Sequence, residues 1–321
     1  MALIYNATFD KNTRKLSFED KAGNEIYSFT VPERGPAVDD LTKPLTFKST
    51  QDGSKVWMSI GGYPTGGFQM SRDGGNTWSH YNISDTIITL NAGDEVSIRA
   101  KADRTSDQSN RNYFSFKMEG KIEAWHNVMS MYRTNDFATY NTMVKYAFCN
   151  MFGGCKSLIK APELPFTTLT QGCYQNMFSG CQSLTKAPEL PATTLANYCY
   201  QSMFSGCQSL TKAPELPATT LALSCYDFMF SGCQSLTKAP ELPATTLAEK
   251  CYQYMFRGCQ SLKEVRIAAT TKATDALNYW LSGVSATGDF YCKPNATIFP
   301  TDSISGIPAN WTRRNIADYP N

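Results

Sequence analysis

The sequence predicts a multidomain chain: N-terminal all-β units (a small β-meander, then a β-sandwich), a stacked α/β array of 26-residue repeats, and a C-terminal cap. Three observations predict it. Met-Phe-x-Gly-Cys-x-Ser-Leu recurs at Met151, Met177, Met203, Met229 and Met255, a constant period of 26 residues. Four copies continue into Lys-Ala-Pro-Glu-Leu-Pro-x-Thr-Thr-Leu, from Lys160, Lys186, Lys212 and Lys238. Ahead of them lie short β-prone runs split by Gly- and Asn-bearing turns, and behind them a stretch without the repeat. A fixed period in the range of about 20–50 residues marks an array in which each unit buries its apolar face against its neighbours.

Residues 1–34 read as the β-meander, with strands over 3–9, 15–19 and 25–31 and turns at Lys11-Asn12-Thr13 and Lys21-Ala22-Gly23-Asn24. The segment from Arg34-Gly35-Pro36 to Lys43-Pro44 reads as a linker. Residues 40–120 carry β-runs at 45–49, 55–60, 67–71, 86–90, 95–101 and 113–118, the pattern of an antiparallel sandwich. Within it, Ser71-Arg72-Asp73-Gly74-Gly75-Asn76-Thr77-Trp78 matches the Asp-box, a motif that recurs on sialidase propeller blades. One copy cannot build a propeller. Its expected role is local: Asp73 accepts from turn donors, the glycines take positive φ, and Trp78 packs under the hairpin.

Residues 121–283 hold the five-coil array. In one copy Leu195, Cys199 and Met203 fall at i, i+4 and i+8 with Phe204 beside them, which predicts a short amphipathic helix. Thr193 or Thr194 is its expected N-cap and Gly206 its C′ residue. Pro188 and Pro191 exclude helix from the next segment and limit strand pairing there to two or three residues per coil. Residues 284–321 read as a cap that shields the last coil.

Eleven cysteines suggest at first a disulfide or metal framework. Their spacings, 6, 18, 8, 18, 8, 18, 8, 18, 8 and 33, contain no Cys-x-x-Cys, and an odd count cannot pair completely. Cys155, Cys181, Cys207, Cys233 and Cys259 hold one repeat position; Cys173, Cys199, Cys225 and Cys251 hold another. Equivalent residues of stacked coils lie about 5 Å apart with parallel side chains, poor geometry for a disulfide. Buried, reduced thiols are the expectation, in keeping with assembly in a reducing cytoplasm.

The repeats resemble the BspA-like leucine-rich repeats of Bacteroidetes surface proteins. Tyr146-Ala147-Phe148 has the flavour of that repeat's aromatic-Ala-Phe opening, and Leu262, Val265 and Ile267 follow its L-x-x-V-x-I strand. The resemblance covers about 140 residues plus the tail. The stretch from Leu45 to Lys101 is similar to the β-sandwich that precedes such repeats in Bacteroidales proteins and their phages. The resemblance implies a solenoid. It also implies a non-enzymatic adhesion or receptor-binding protein displayed on a bacteriophage virion, as a tail or head fibre or a decoration. The expected partners are a host cell-surface glycan or protein, and other virion proteins or the chain itself through the N-terminal β-units. Two alternatives stay open: a secreted or surface-anchored Bacteroidales adhesin, and an architectural spacer in a larger particle.

Composition fits this picture. Apolar content of 42% with 18% charged residues is globular material. Thirty basic against 28 acidic residues give a net charge of +2, which offers no electrostatic reason for a nucleic-acid partner. No stretch reaches the roughly 20 apolar residues of a membrane span. The start Met-Ala-Leu-Ile-Tyr-Asn lacks a signal-peptide pattern, so either the chain is not exported by that route or a leader has been removed. Only two histidines occur, His80 and His126, neither in a catalytic or metal-ligating pattern, and no cofactor motif is present. The expectation is no enzyme and no cofactor.

The copies differ most at the approach to the second cysteine and just past it. That defines a candidate ligand surface of Asn197, Tyr198, Gln201, Asp227, Phe228, Glu249, Lys250, Gln253 and Tyr254. Two readings fit it: relaxed packing on a solvent face, or a ligand-facing surface on an invariant frame. The ladder Tyr174, Tyr200, Tyr226 and Tyr252 is included as a possible sugar-stacking platform, against buried packing as the alternative. The Lys and Glu ladders of the Lys-Ala-Pro-Glu segments read as a solvated stripe of weak pairs.

Overall fold

The computed structural model describes residues 6–10, 15–19, 25–30, 40–60, 67–83, 86–103, 114–138, 143–301 and 304–319. The chain divides into two compact units, Met1–Asp39 and Asp40–Asn321. In the first, β1 (Asn6–Asp10), β2 (Lys15–Glu19) and β3 (Glu25–Thr30) form an antiparallel sheet in that order. The turns expected at 11–13 and 21–24, the start of the strand over 3–9 and the linker as far as residue 39 lie outside the described residues.

The second unit opens with β4 (Thr46–Ser49), β5 (Ser54–Ile60), β6 (Phe68–Ser71), β7 (Ser79–Tyr81), β8 (Ile88–Leu90), β9 (Glu95–Ala100), β10 (Phe114–Glu119) and β11 (Ile122–Trp125). One sheet has the order β10-β5-β8; the other contains β11-β4-β9-β6-β7. Rings cross between the two sheets, with Phe47 and Phe116 centroids 4.6 Å apart and Phe68 and Phe114 5.3 Å apart. The sequence reading had no strand at β7 or β11.

The Asp-box closes the β6–β7 hairpin. Asp73 accepts from the hydroxyl of Ser71 at 2.6 Å, and from the N–H and hydroxyl of Thr77 at 2.9 and 2.5 Å. These bonds hold its carboxyl well below the usual carboxylate range. Gly74 and Gly75 sit at φ +71° and +94°, and the Trp78 indole N–H donates to Gly75 C=O under the cation of Arg99.

The expected helix is absent. Among the described residues the only helical segments are 3₁₀ turns at Val128–Met131 and Ile316–Asp318. The repeat instead runs as successive tight turns. In one coil the N–H groups of Cys199, Gln201, Met203, Ser205 and Cys207 donate to the carbonyl three residues back. The alternate N–H groups, of Tyr198, Tyr200, Ser202, Phe204 and Gly206, donate to Leu223, Cys225, Asp227, Met229 and Ser231 of the next coil. An α-helix would consume all these donors internally and leave none to join coils.

The alternation is made possible by a left-handed residue every fourth position: Tyr198, Ser202 and Gly206 at φ 61°, 54° and 74°. This falls third in every other four-residue turn (196–199, 200–203 and 204–207), where a type II turn needs positive φ. The third such position is Gly in every coil, from Gly154 to Gly283. In this column a Cβ on Gly206 would stand 3.7 Å from Gly180 Cα, so the coils approach almost backbone to backbone. The apolar period of 4 thus comes from turns and not from a helix.

Beyond the turns, the Pro-rich segments pair only through isolated bridges such as Thr168 with Thr194 and Lys186 with Lys212, since Pro lacks the donor a ladder requires. Short parallel strands appear where Pro is missing. β12 (Leu158–Lys160) pairs with β11 at one end. β13 (Thr246–Leu247), β14 (Glu264–Arg266), β15 (Thr271–Lys272), β16 (Gly288–Cys292) and β17 (Trp311–Asn315) lie at the other, paired β13–β15 and β14–β16–β17.

Both ends of the array are built into its neighbours. Phe116 of β10 donates its N–H to Met151 and accepts the Cys155 thiol at 3.0 Å. Phe152 makes the same pair of bonds to Met177 and Cys181. The β10–β11 segment therefore acts as the rung before the first coil.

At the far end, the turn frame continues through Asp275, Tyr279 and Gly283, all at positive φ. This sixth run is one residue short: Phe256 N–H bonds to Trp280 C=O, 24 residues on, where Phe230 N–H bonds to Met255, 25 on. The sequence predicts five coils over residues 121–283, and the structure runs the turn frame a sixth time within them.

Two ring ladders run through the core, Phe152–Phe178–Phe204–Phe230–Phe256 at 5.5–5.8 Å, and Phe148–Tyr174–Tyr200–Tyr226–Tyr252 at 5.7–5.9 Å. The first continues into Phe116 and Phe47, so residues from Leu45 to Trp311 share one buried cluster.

Candidate functional site

The turn geometry sorts the candidate surface residues into three groups. Tyr174, Tyr200, Tyr226 and Tyr252 are 0–1% exposed, stacked on one another inside the core. They offer no platform to a sugar, which corrects that reading. Phe148 holds the same position in the first coil, so the hydroxyl is dispensable to the stack, and those of Tyr174 and Tyr226 are buried without a hydrogen-bond partner.

Tyr198, Phe228, Lys250 and Tyr254 are left-handed positions of the turns, and all four are half-buried on the outer rim. The frame fixes their backbone through inter-coil bonds and leaves the side chain outside, which is why they vary between copies. Phe228 stacks on Tyr254 at 4.3 Å and Tyr254 on Tyr279 at 5.3 Å, a second aromatic row with Tyr279 39% exposed. Asn197 and Glu249 are exposed beside this rim.

Gln201 and Asp227 belong to a side-chain ladder, and Gln253 holds the same repeat position in the next coil. Gln175 donates its amide to Gln201, and Gln201 donates to Asp227 Oδ2 at 2.8 Å. Asp227 is 5% exposed, and its Oδ1 is buried without a partner. It is therefore framework and not ligand surface, a further correction. Burial pushes its carboxyl up to about 6, against an ordinary value of 3.8. A carboxyl raised on folding favours the native state in its protonated form, so stability falls as pH rises from about 4 to 6 and then levels. Asp227→Gln restores the residue of the neighbouring copies. It is expected to raise stability at pH 7 by about 1–2 kcal/mol and to flatten that slope, as urea unfolding at pH 4, 5, 6 and 7 would show.

A second surface lies along the Lys-Ala-Pro-Glu segments. Ala213 and Ala239 are 7% and 6% exposed and form a floor with Pro240, while Lys212, Glu215, Lys238 and Glu241 stand in solvent on either side. Near the last coils this face deepens to a cleft of ≈ 450 Å³ walled by Arg266 and Tyr319. Lys238 Nζ lies 2.8 Å from Glu264, which also accepts the Tyr319 hydroxyl at 2.5 Å. Arg266 meets Glu241 at 3.2 Å, and both cations lie under 5 Å from the Tyr319 ring centroid (4.7 and 4.6 Å). Sequence reasoning treated the Lys and Glu rows as a solvated stripe and missed Arg266 and Tyr319. Tyr319 lies 55 residues from Glu264 along the chain, so no local pattern announces that contact.

His80 is exposed on β7 and His126 follows β11. No cluster of three or more His, Cys, Asp or Glu with metal-binding arrangement occurs among the described residues. Neither surface brings together a nucleophile, a base and an orienting group.

Comparison with known proteins adds one finding. Residues 136–243 and 175–279 match the model of the BspA type leucine rich repeat region, in 6 copies. No curated protein and no solved structure matches the chain. Six positive-φ runs, from Tyr146–Gly154 to Asp275–Gly283, agree with six copies where the Met-Phe motif counts five. Such repeats are commonly modules of surface adhesion and binding, and generally non-enzymatic. Residues 136–279 of this mostly β chain are a BspA type leucine-rich repeat region.

Proposed function

We propose that the chain is a non-enzymatic adhesion protein displayed on a bacteriophage virion, in a tail or head fibre or as a decoration. In this reading the repeat array is a solenoid that recognises a glycan or protein on the surface of a Bacteroidales host. The N-terminal β-units join it to other virion proteins or to further copies of itself; β1 and β3 are the edge strands of the first unit's sheet. One observation carries the reading. The frame positions are near-identical between copies and buried, whereas the positions that differ include an outer rim whose backbone the inter-coil bonds hold fixed. A rigid frame with variable rim side chains is suited to shallow, multivalent recognition, and many copies on one particle add avidity. Display on a virion is the setting that the resemblance to repeats of Bacteroidales phage proteins implies.

The test is binding of the fluorescently labelled full chain to a panel of Bacteroidales strains, with unrelated bacteria beside them. Saturable binding to at least one Bacteroidales strain is expected. Binding to none would leave the array as a spacer.

A further inference from the structure

The four-residue unit Lys-Ala-Pro-Glu recurs until the coil that holds Glu264-Val265-Arg266-Ile267. There the Lys position becomes Glu and the Pro position becomes Arg, so each row of like charges ends against its opposite. Lys238 closes on Glu264 and Glu241 on Arg266, and Tyr319 covers both pairs. One coil earlier, Lys212 and Glu215 line the same cleft, and neither is in an ion pair among the described residues. Lys212 and Glu215 therefore leave the cleft one strong donor and one strong acceptor that no ion pair consumes. Its floor is apolar, and Pro240 denies it a backbone donor.

We infer that this cleft binds the end of a neutral oligosaccharide, an assignment that rests on the adhesion reading for the glycan's place on a cell surface. An anionic ligand meets Glu215 and Glu241 as readily as Lys212, and a cationic one meets the lysines. A peptide added as a strand finds a proline where it needs an N–H. A sugar hydroxyl both donates and accepts, so it bonds the Lys212 ammonium and the Glu215 carboxylate alike, through charge-assisted bonds. The C–H faces of the ring lie on Ala213, Ala239 and Pro240. A volume of ≈ 450 Å³ falls among sites for small ligands, about 300–1,000 Å³. Tyr319, held by two cations and Glu264, is the end wall that stops the saccharide.

The experiment is ligand-detected NMR on the full chain with lactose, maltose, cellobiose and mannobiose, with glucuronic acid and glucosamine as charged probes. At least one neutral disaccharide is expected to bind with Kd below about 10 mM. Lys212→Ala and Glu215→Gln, both at exposed positions, are each expected to weaken it about tenfold, while Lys121→Ala, exposed between β10 and β11 and outside both the rim and the cleft, leaves it unchanged. Silence from all four neutral sugars overturns the inference, as does binding that ignores the cleft variants or favours either charged probe. The same variants go into the cell-binding assay. Cell binding that survives Lys212→Ala and Glu215→Gln overturns the cleft and keeps the adhesion reading. Sugar binding by a chain that recognises no cell keeps the cleft and removes the adhesion reading.

Discussion

Phe204→Ala is expected to lower the unfolding free energy by about 3–5 kcal/mol, the range for truncating a buried ring. Phe204 is 0% exposed, with Phe178 at 5.7 Å on one side and Phe230 at 5.8 Å on the other. Its N–H donates to Met229 and its carbonyl accepts the Cys233 thiol at 3.1 Å, so the backbone cannot move inward to fill the space. The coils on both sides are held by the same bonds, and a cavity that cannot collapse is costly. Each coil touches only its neighbours, so the loss also uncouples the coils before Phe204 from those after it, and a broader urea transition should accompany the lower midpoint. Phe228→Ala supplies the contrast. That ring is half-buried on the rim, and its removal should change stability by less than about 1 kcal/mol. Equal losses from the two substitutions would sink the distinction between frame and rim.

The array was legible because its signal is repetition, which survives any error about local conformation. The conformation itself was misread for a physical reason. Leu195, Cys199, Met203 and Cys207 repeat every four residues, a spacing shared by a helix face and a chain of four-residue turns. A helix of 3.6 residues per turn drifts off a strict period of 4, and the series from Leu195 to Cys207 holds that period over three steps. Phe116 and Ile122, six residues apart like Phe152 and Leu158, already carried the first rung's spacing. That match was hidden because the surrounding residues lack the Met-Phe motif. The sixth run was obscured by one missing residue and by Trp280-Leu281 in place of Met-Phe. The tyrosine ladder and Asp227 were placed on the surface because sequence shows periodicity but not which side of a turn faces inward. The rim residues were found because variation itself marked them. The cleft needed the three-dimensional return of Tyr319 to Glu264.

The chain is expected to unfold in mild alkali, between about pH 9.5 and 10.5, a consequence of the same stacking. Ten of the eleven cysteines are buried free thiols, and Cys149 is half-buried. Burial pushes Cys155, Cys199, Cys207, Cys251 and Cys259 up to about 12, against an ordinary value of 9.0. It raises Cys173, Cys181, Cys225 and Cys233 as well. A thiol whose pKa rises on folding contributes stability that is complete below the unfolded value and lost as pH climbs toward the folded one. The loss approaches about 1.4 kcal/mol per pH unit for each such group, and all nine act in the same direction on a stability that is about 5–15 kcal/mol for an ordinary domain. The buried hydroxyls of Tyr174, Tyr200, Tyr226 and Tyr252 are raised by burial too and push in the same direction at higher pH. Circular dichroism across pH 7–11 reads the transition, and recovery of the signal on return to pH 7 separates it from chemical damage. Thiol-reagent titration at pH 8 gives the companion result: slow reaction at Cys149 first, protection of the rest, and all eleven thiols after urea. A chain still folded at pH 11, or one with fewer than eleven thiols once unfolded, would show that the cysteines are not the closed, reduced ladder on which the coils are stacked.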